Sequence, residues 1–207
     1  RHFVQCREIQ VYGNQQSEGM SRKTDEQFFA FANGIAHEDK DGKYVFEKVN
    51  ELGVVTHNHM NYYLPAFSTI YAGSGRQSDK YELISQLTYD DIPADKQVSF
   101  EKWASLMDKV YKINDNGKWA IVFALMCAFR SNIHCLDRLF TAPFFMGPMS
   151  SGKTQIAISI RSLFISPTIP IFNLNTGTDA AMSTMMGTFR DVPVVLDEYN
   201  NKDISDT

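Results

Sequence analysis

Gly147-Pro148-Met149-Ser150-Ser151-Gly152-Lys153-Thr154 stands between an apolar run and a helical pattern. It fits Gly-x-x-x-x-Gly-Lys-Ser/Thr at every fixed position, the spacing of a loop that wraps a phosphate. Gly147 and Gly152 let the chain wrap so closely that backbone N–H groups of the loop face a β-phosphate. Lys153 adds a mobile cation that reaches β and γ oxygens. The Thr154 hydroxyl can ligate a Mg²⁺ bridging them, and the helix that follows aims its positive end at the same charge. The expected ligands are therefore ATP and Mg²⁺, with all eight loop residues in the binding role.

The flanks have the composition that such a loop requires. Leu139–Met146 is a short apolar run that predicts a buried strand, with pairing mainly at Phe144–Met146 because Pro143 removes a ladder donor. Downstream, Ile156, Ala157, Ile160, Leu163 and Phe164 recur at helical spacing. Further on, the turn Asp191-Val192-Pro193 leads into Val194-Val195-Leu196-Asp197-Glu198, an apolar run ending in two acids that looks like a Walker B strand. Asp197 is expected to hold the metal, directly or through a water. Glu198 is expected to polarise the water that attacks the γ-phosphate. Lys153 and Glu198 are thus the candidate catalytic residues.

Thr168–Leu174 reads as a strand, and Asp179–Met186 as a short helix with Thr178 as its N-cap. Thr176-Gly177-Thr178 reads as the turn leading into that helix. An additional strand between the two Walker segments, with Glu directly after the Walker B Asp, resembles the additional-strand catalytic-glutamate class of P-loop ATPases, which includes the AAA+ and RecA-like motors.

Composition sets outer limits. The 207 residues are 43% hydrophobic and 21% charged, enough for a sizeable core. The longest apolar run, Trp119–Phe129, falls short of the about 20 residues that cross a bilayer, so no membrane partner is expected. A net charge of −4 gives no broad basic surface, and charge alone does not argue for nucleic acid. Cys6, Cys127 and Cys135 form no Cys-x-x-Cys pair and read as reduced thiols in a cytoplasmic protein. Arg1 stands where an initiator Met would, so the chain reads as a piece of a longer polypeptide.

Residues 1–98 behave differently from the rest. Phe28–Gly34, Tyr44–Phe46, Gly53–Thr56 and Tyr62–Leu64 are aromatic or β-branched runs between polar turns, which predicts a small β-rich module. Asn14–Glu26 is polar and aperiodic, as in a long exposed loop. Tyr71–Arg76 holds a Gly-rich turn without a strand–helix frame, so it is not read as a second phosphate site. His57-Asn58-His59 offers only two metal ligands and reads as polar hairpin residues; His37 and His134 read as structural. From Ser99, which can act as a cap, Phe100, Trp103, Met107, Val110 and Tyr111 make one helical face. Trp119–Phe129 is apolar nearly all round and predicts a helix covered on most sides, with Arg130 closing it at the surface. These helices, over 99–136, read as a connector to a P-loop domain spanning 137–207.

Phe29-Ala30-Phe31-Ala32-Asn33-Gly34-Ile35, Tyr63-Leu64-Pro65-Ala66, Phe100-Glu101-Lys102-Trp103-Ala104, Ala128-Phe129-Arg130 and the Walker pair follow one another in an order that resembles replication proteins of phages, plasmids and mobile elements. The chain is similar to the helicase end of primase–helicase polypeptides, the superfamily 3 helicases within AAA+. That resemblance implies an α/β fold in which a three-layer P-loop NTPase core around a parallel sheet follows a β-rich module and a helical connector. It implies ATP hydrolysis coupled to unwinding of single-stranded or forked DNA by a homo-oligomeric ring. Lys153 and Thr154 would take the nucleotide and metal roles, Asp197 the metal role and Glu198 the hydrolytic role. The DNA-contacting hairpin, sensor residue and arginine finger of that family would lie past Thr207. The sheet would then be incomplete at its C-terminal end, with exposed edges, poor solubility and weak hydrolysis expected. Two other readings fit the motif pair: a packaging ATPase or small-molecule kinase, and a non-catalytic scaffold gated by nucleotide.

Overall fold

Strands dominate the first half of the chain and helices the second. The computed structural model describes residues 5–15, 27–68, 84, 87–90, 95–165 and 171–198. Two compact units emerge: Arg1–Tyr89 with Ser183–Arg190, and Asp90–Met182 with Asp191–Thr207. The helices expected as a separate connector therefore share a unit with the phosphate-loop segment. A short stretch just before the Walker B run belongs with the N-terminal strands. The readings of Tyr71–Arg76 and of Thr168–Pro170 lie outside the described residues, as do positions 16–26 of the expected loop.

In the first unit, β1 (Cys6–Glu8), β7 (Met60–Tyr63) and β6 (Val54–His57) form one sheet in the order β1-β7-β6. A second sheet runs β5 (Tyr44–Lys48), β4 (Gly34–Glu38), β3 (Phe28–Phe31), β2 (Tyr12–Gln15) and β9 (Phe189–Arg190). The run Phe28–Gly34 does not continue as one strand. It reverses through Ala32-Asn33, and Asn33 holds that reversal by exchanging two hydrogen bonds with the Tyr89 backbone, at 2.8 and 3.0 Å. Phe46 stacks on Tyr89 with ring centroids 4.5 Å apart, while Phe31 meets both rings edge-on. Such geometry suits ring quadrupoles. Asn14 and Gln15, read as loop, pair instead with Phe29 and Phe28.

His57, Asn58 and His59 lie at a hairpin. Asn58 and His59 both have positive φ, the signature of a tight two-residue turn between β6 and β7. The turn separates the two histidines, and the His57 ring lies buried 4.3 Å from that of His37. No cluster of three or more His, Cys, Asp or Glu suited to a metal occurs among the described residues.

In the second unit, α1 (Phe100–Val110) begins at Ser99, whose Oγ accepts from the Lys102 N–H at 3.2 Å. It is followed by α2 (Asn116–Ala128) and α3 (Arg130–Asp137). Small residues decide how α2 packs. Gly117, Ala120, Ala124 and Cys127 are buried along one side, and a Cβ on Gly117 would run into the Met107 carbonyl of α1. The expectation that α2 is covered on most sides is corrected: Trp119 is 70% exposed, and Val122, Leu125 and Phe129 also face outward. Close approach favours the face without bulk, and Trp119, Val122, Leu125 and Phe129 are turned away from it. Among the described residues, no helix is long and apolar enough to cross a membrane.

The core of this unit gathers Met107 from α1, Ala120 and Ala124 from α2, and Ile156 and Ile160 from α4 (Lys153–Arg161), the helix that follows the phosphate loop. Trp103, Tyr111, Phe123 and Phe145 pack against it. Each fully buried isoleucine contributes roughly 1.5–3 kcal/mol of transfer free energy. Residues 139–147 carry no strand, contrary to the expected pairing at Phe144–Met146. Phe145 turns toward the core, but Phe144 and Met146 are 64% and 80% exposed, and Pro143 has no N–H to give a ladder. The run is not the buried strand its composition implied. Beyond α4, β8 (Phe172–Asn173) pairs in parallel with β10 (Leu196–Asp197). Between them, α5 (Asp179–Thr188) starts where the Thr178 Oγ1 accepts from the Ala181 N–H at 3.2 Å.

Candidate functional site

The loop's shape follows from where glycine stands. Gly152 has φ +85° and forms the N-cap of α4, contributing no side-chain capping bond. A left-handed residue here costs an L-side chain about 1–2 kcal/mol, and glycine nothing. Ser150, at φ +62°, adds a second left-handed position to the same turn. The first-turn amides of α4 have no carbonyl four residues back within the helix, so they are available to an anion. Ser150, Ser151, Gly152, Lys153, Thr154 and Gln155 line a cavity of about 240 Å³.

Lys153 Nζ donates to Gly147 O at 2.9 Å, to Pro148 O at 2.7 Å and to Ser151 Oγ at 3.3 Å. The ammonium thus ties the end of the loop to its beginning. Its positive charge is held beside the cavity by neutral oxygens, which an anionic oxygen can displace because it is the stronger acceptor. Met149 is 94% exposed at the tip, so its side chain adds no packing to the loop.

A side-chain hydrogen bond joins the second segment to the first. Thr154 Oγ1 donates to Asp197 Oδ2 at 3.2 Å, across 43 residues of sequence. The register that allows it is set by β10: Asp197 lies opposite Asn173 of β8, and Leu174 N–H donates to Asp197 O at 3.0 Å. β10 is shorter than the run Val194–Glu198 implied, with strand only at Leu196-Asp197, and Leu196 is 39% exposed. Glu198 follows at φ +60°, its N–H donating to Asp197 Oδ1 at 2.9 Å. A glutamate held left-handed at a strand's end is an uncommon backbone state, and such states concentrate at functional sites.

The donor set suits magnesium. A hydroxyl and a carboxylate oxygen are hard ligands, and Mg²⁺ binds through one or two protein oxygens completed by phosphate and water. Thr154 and Asp197 would hold it. Of the sequence-derived residues, Ser150–Thr154 line the cavity, Gly147 and Pro148 are tied to it through Lys153, and Met149 stands exposed at the tip; Asp197 hydrogen-bonds to Thr154 without lining the cavity, and Glu198 follows it, exposed. Arg130, read as a surface residue closing α2, does more than that. Its Nη1 lies 3.7 Å from Asp191 Oδ1, whose side chain is 1% exposed, and its guanidinium stands over the Phe140 ring at 5.8 Å. It thus touches both the segment approaching the phosphate loop and the turn approaching β10. Cys127 lies nearby in electrostatic terms: burial, reinforced by Asp191, pushes its thiol up to about 12, with Arg130 opposing the shift. Tyr111, read only as part of a helical face, is another residue that sequence reasoning missed at the loop; its Cε1 stands 3.7 Å from where a Cβ on Gly152 would be.

Compared with protein-family models, curated proteins and solved structures, the chain matches none.

Proposed function

We propose that this chain binds ATP with Mg²⁺ on the loop Gly147–Thr154 and belongs to an ATPase of the additional-strand catalytic-glutamate class, with an α/β P-loop core of which residues 137–207 are part. The observation that carries this reading is the contact of Thr154 with Asp197, which brings together a hydroxyl and a carboxylate of the kinds and positions that a phosphate-loop metal site needs.

The residues divide the work by their chemistry. Backbone amides at the start of α4 hold phosphate oxygens, and Lys153 exchanges loop carbonyls for the β and γ oxygens. Thr154 and Asp197 hold the metal, which when bound neutralises charge accumulating on the phosphate oxygens. Glu198 stands one residue beyond Asp197, where its carboxylate accepts a proton from the attacking water and so acts as general base. Coupling of that cycle to DNA unwinding by a ring of subunits in the cytoplasm is supported by the resemblance in motif order, and by nothing in the charge of the chain.

Calorimetric titration with ATP and Mg²⁺ tests the reading. Saturable binding is expected, and Lys153→Ala should abolish it. A chain that ignores ATP, or binds it equally well without the lysine, would remove the assignment. Turnover measured with and without single-stranded DNA then separates motor from kinase: stimulation supports the helicase reading, while phosphate transfer to a soluble acceptor without a DNA effect overturns it.

A further inference from the structure

Three oxygens of Asp197 accept hydrogen bonds, each from a different place. Oδ2 accepts from the Thr154 hydroxyl at 3.2 Å, Oδ1 from the Glu198 N–H at 2.9 Å, and the backbone O from the Leu174 N–H at 3.0 Å. The last of these continues the β8–β10 pairing one residue past the Asn173–Asp197 register pair. The side chain just before Leu174 fixes the direction of its N–H. Asn173 Oδ1 accepts from the Asn175 N–H at 2.8 Å and from the Thr176 N–H at 3.3 Å. The first of those bonds closes a ring that contains the Leu174 peptide group, as in an Asx turn. The Asn173 carbonyl closes the same turn further on by accepting from the Gly177 N–H at 2.9 Å, and a Cβ on Gly177 would run into the Phe172 ring.

We propose that Asn173 is a positioning residue for the metal site: its side chain holds the Leu174 N–H against the Asp197 carbonyl, which keeps the Asp197 carboxylate within reach of Thr154. The inference rests on the nucleotide-binding reading of the phosphate loop and on the metal role assigned there to Asp197. β8 and β10 are two residues long each, so the ladder alone gives their ends few bonds to resist fraying. Asparagine suits the position because its short side-chain carbonyl stands in for a backbone acceptor two residues on. A carboxylate that drifts from the metal weakens only the part of binding that passes through the metal. The amides of α4 and Lys153 hold phosphate without it.

The test measures ATP dissociation constants with Mg²⁺ and in EDTA, beside melting temperatures. It compares the wild type with Asn173→Ala, Asn173→Val, Asn173→Ser, Asp197→Ala, Lys153→Ala and the double variant of Asn173→Ala with Asp197→Ala. Asn173→Ala should weaken binding in Mg²⁺ about three- to tenfold, the equivalent of one hydrogen bond, and leave binding in EDTA unchanged. Asn173→Val removes the same oxygen with a side chain that favours strand, so it should fold where alanine fails and show the same loss. Asn173→Ser should recover part of the loss, because a hydroxyl closes the same turn more weakly. Once Asp197 is alanine, Asn173→Ala should cost no further affinity. If the wild type ignores ATP, or Lys153→Ala binds equally well, the phosphate-loop reading fails and this inference with it. If Asp197→Ala binds like the wild type in Mg²⁺, the metal role of Asp197 fails, again with this inference. If those controls behave as expected but Asn173→Val matches the wild type, the positioning role is refuted. A loss from Asn173→Ala that is equal in EDTA, or that persists in the double variant, refutes it as well.

Discussion

The Thr154 hydroxyl donates to the Asp197 carboxylate across 3.2 Å, and that bond joins the first residues of α4 to the end of β10. Neither residue reaches the other by local structure. Asp197 is placed by its register against Asn173, and Thr154 by the left-handed turn at Gly152 one position before Lys153. A strand register and a loop turn thus produce one long-range meeting of oxygens.

Thr154→Val removes the oxygen and keeps the shape. Binding of ATP with Mg²⁺ should weaken by roughly 1.5–3 kcal/mol, the range for a bond to a charged partner, while ATP binding in EDTA should change little. Paired titrations with and without the metal check this. Equal loss in both conditions would mean that the hydroxyl contacts the nucleotide or supports the loop rather than holding metal.

Glu198→Gln separates binding from chemistry. The amide is nearly isosteric but a far weaker base, so turnover should fall by about a hundredfold or more with ATP affinity retained. The comparison needs steady-state turnover beside a binding isotherm. Undiminished hydrolysis would take Glu198 out of the mechanism and send the search for the base elsewhere around the cavity.

Local signals were the legible ones. The left-handed turn at Gly152, the Ser99 and Thr178 caps and the helix carrying Ile156 and Ile160 are each written within a few residues, where spacing alone dictates hydrogen bonding and the buried face. The apolar run at Leu139–Met146 misled because hydrophobicity does not provide a partner strand, and its Leu139, Phe144 and Met146 side chains face outward. Trp119–Phe129 misled differently: its mean hydropathy hid a division into a side that packs, with Ala120, Ala124 and Cys127 buried and Ile121 and Phe123 against the core, and a side where Trp119, Val122, Leu125 and Phe129 are exposed. β9 is two residues long, too short for any period, and its place beside β2 depends on a partner nearly the whole chain away. The approach of Arg130 to Asp191 likewise arises from tertiary packing, which no single window of sequence encodes.

Alkaline destabilisation should reveal Cys127. Its folded thiol is raised to about 12 while an unfolded thiol ionises near its ordinary 9.0, so the folded state retains a proton that the unfolded state releases. The stabilisation is fully present below pH 9 and is lost as pH rises toward 12, at up to about 1.4 kcal/mol per pH unit. Urea melts between pH 8 and 11 should show this slope in the wild type and a shallower one in Cys127→Ala. Matching slopes would show that other groups govern the alkaline limb. The same burial predicts slow alkylation of Cys127 in the folded chain at pH 8.

Arg130 and Asp191 provide a stability prediction whose sign is informative. The Asp191 carboxylate is almost wholly buried at φ +62°, with Arg130 Nη1 3.7 Å away, and Arg130 is 43% exposed in its side chain. Because the cation is partly solvated and the distance is long for a direct bond, the pair itself adds little. Removing the cation leaves the buried charge without that compensation, so Arg130→Ala should cost roughly 1–3 kcal/mol. Asp191→Asn keeps a side chain that tolerates the left-handed backbone while removing the charge. The double variant should therefore recover part of the loss, giving a non-additive cycle by urea or thermal melts. Additive costs would mean that the two side chains do not communicate, and that Arg130 acts through its stacking over Phe140 instead.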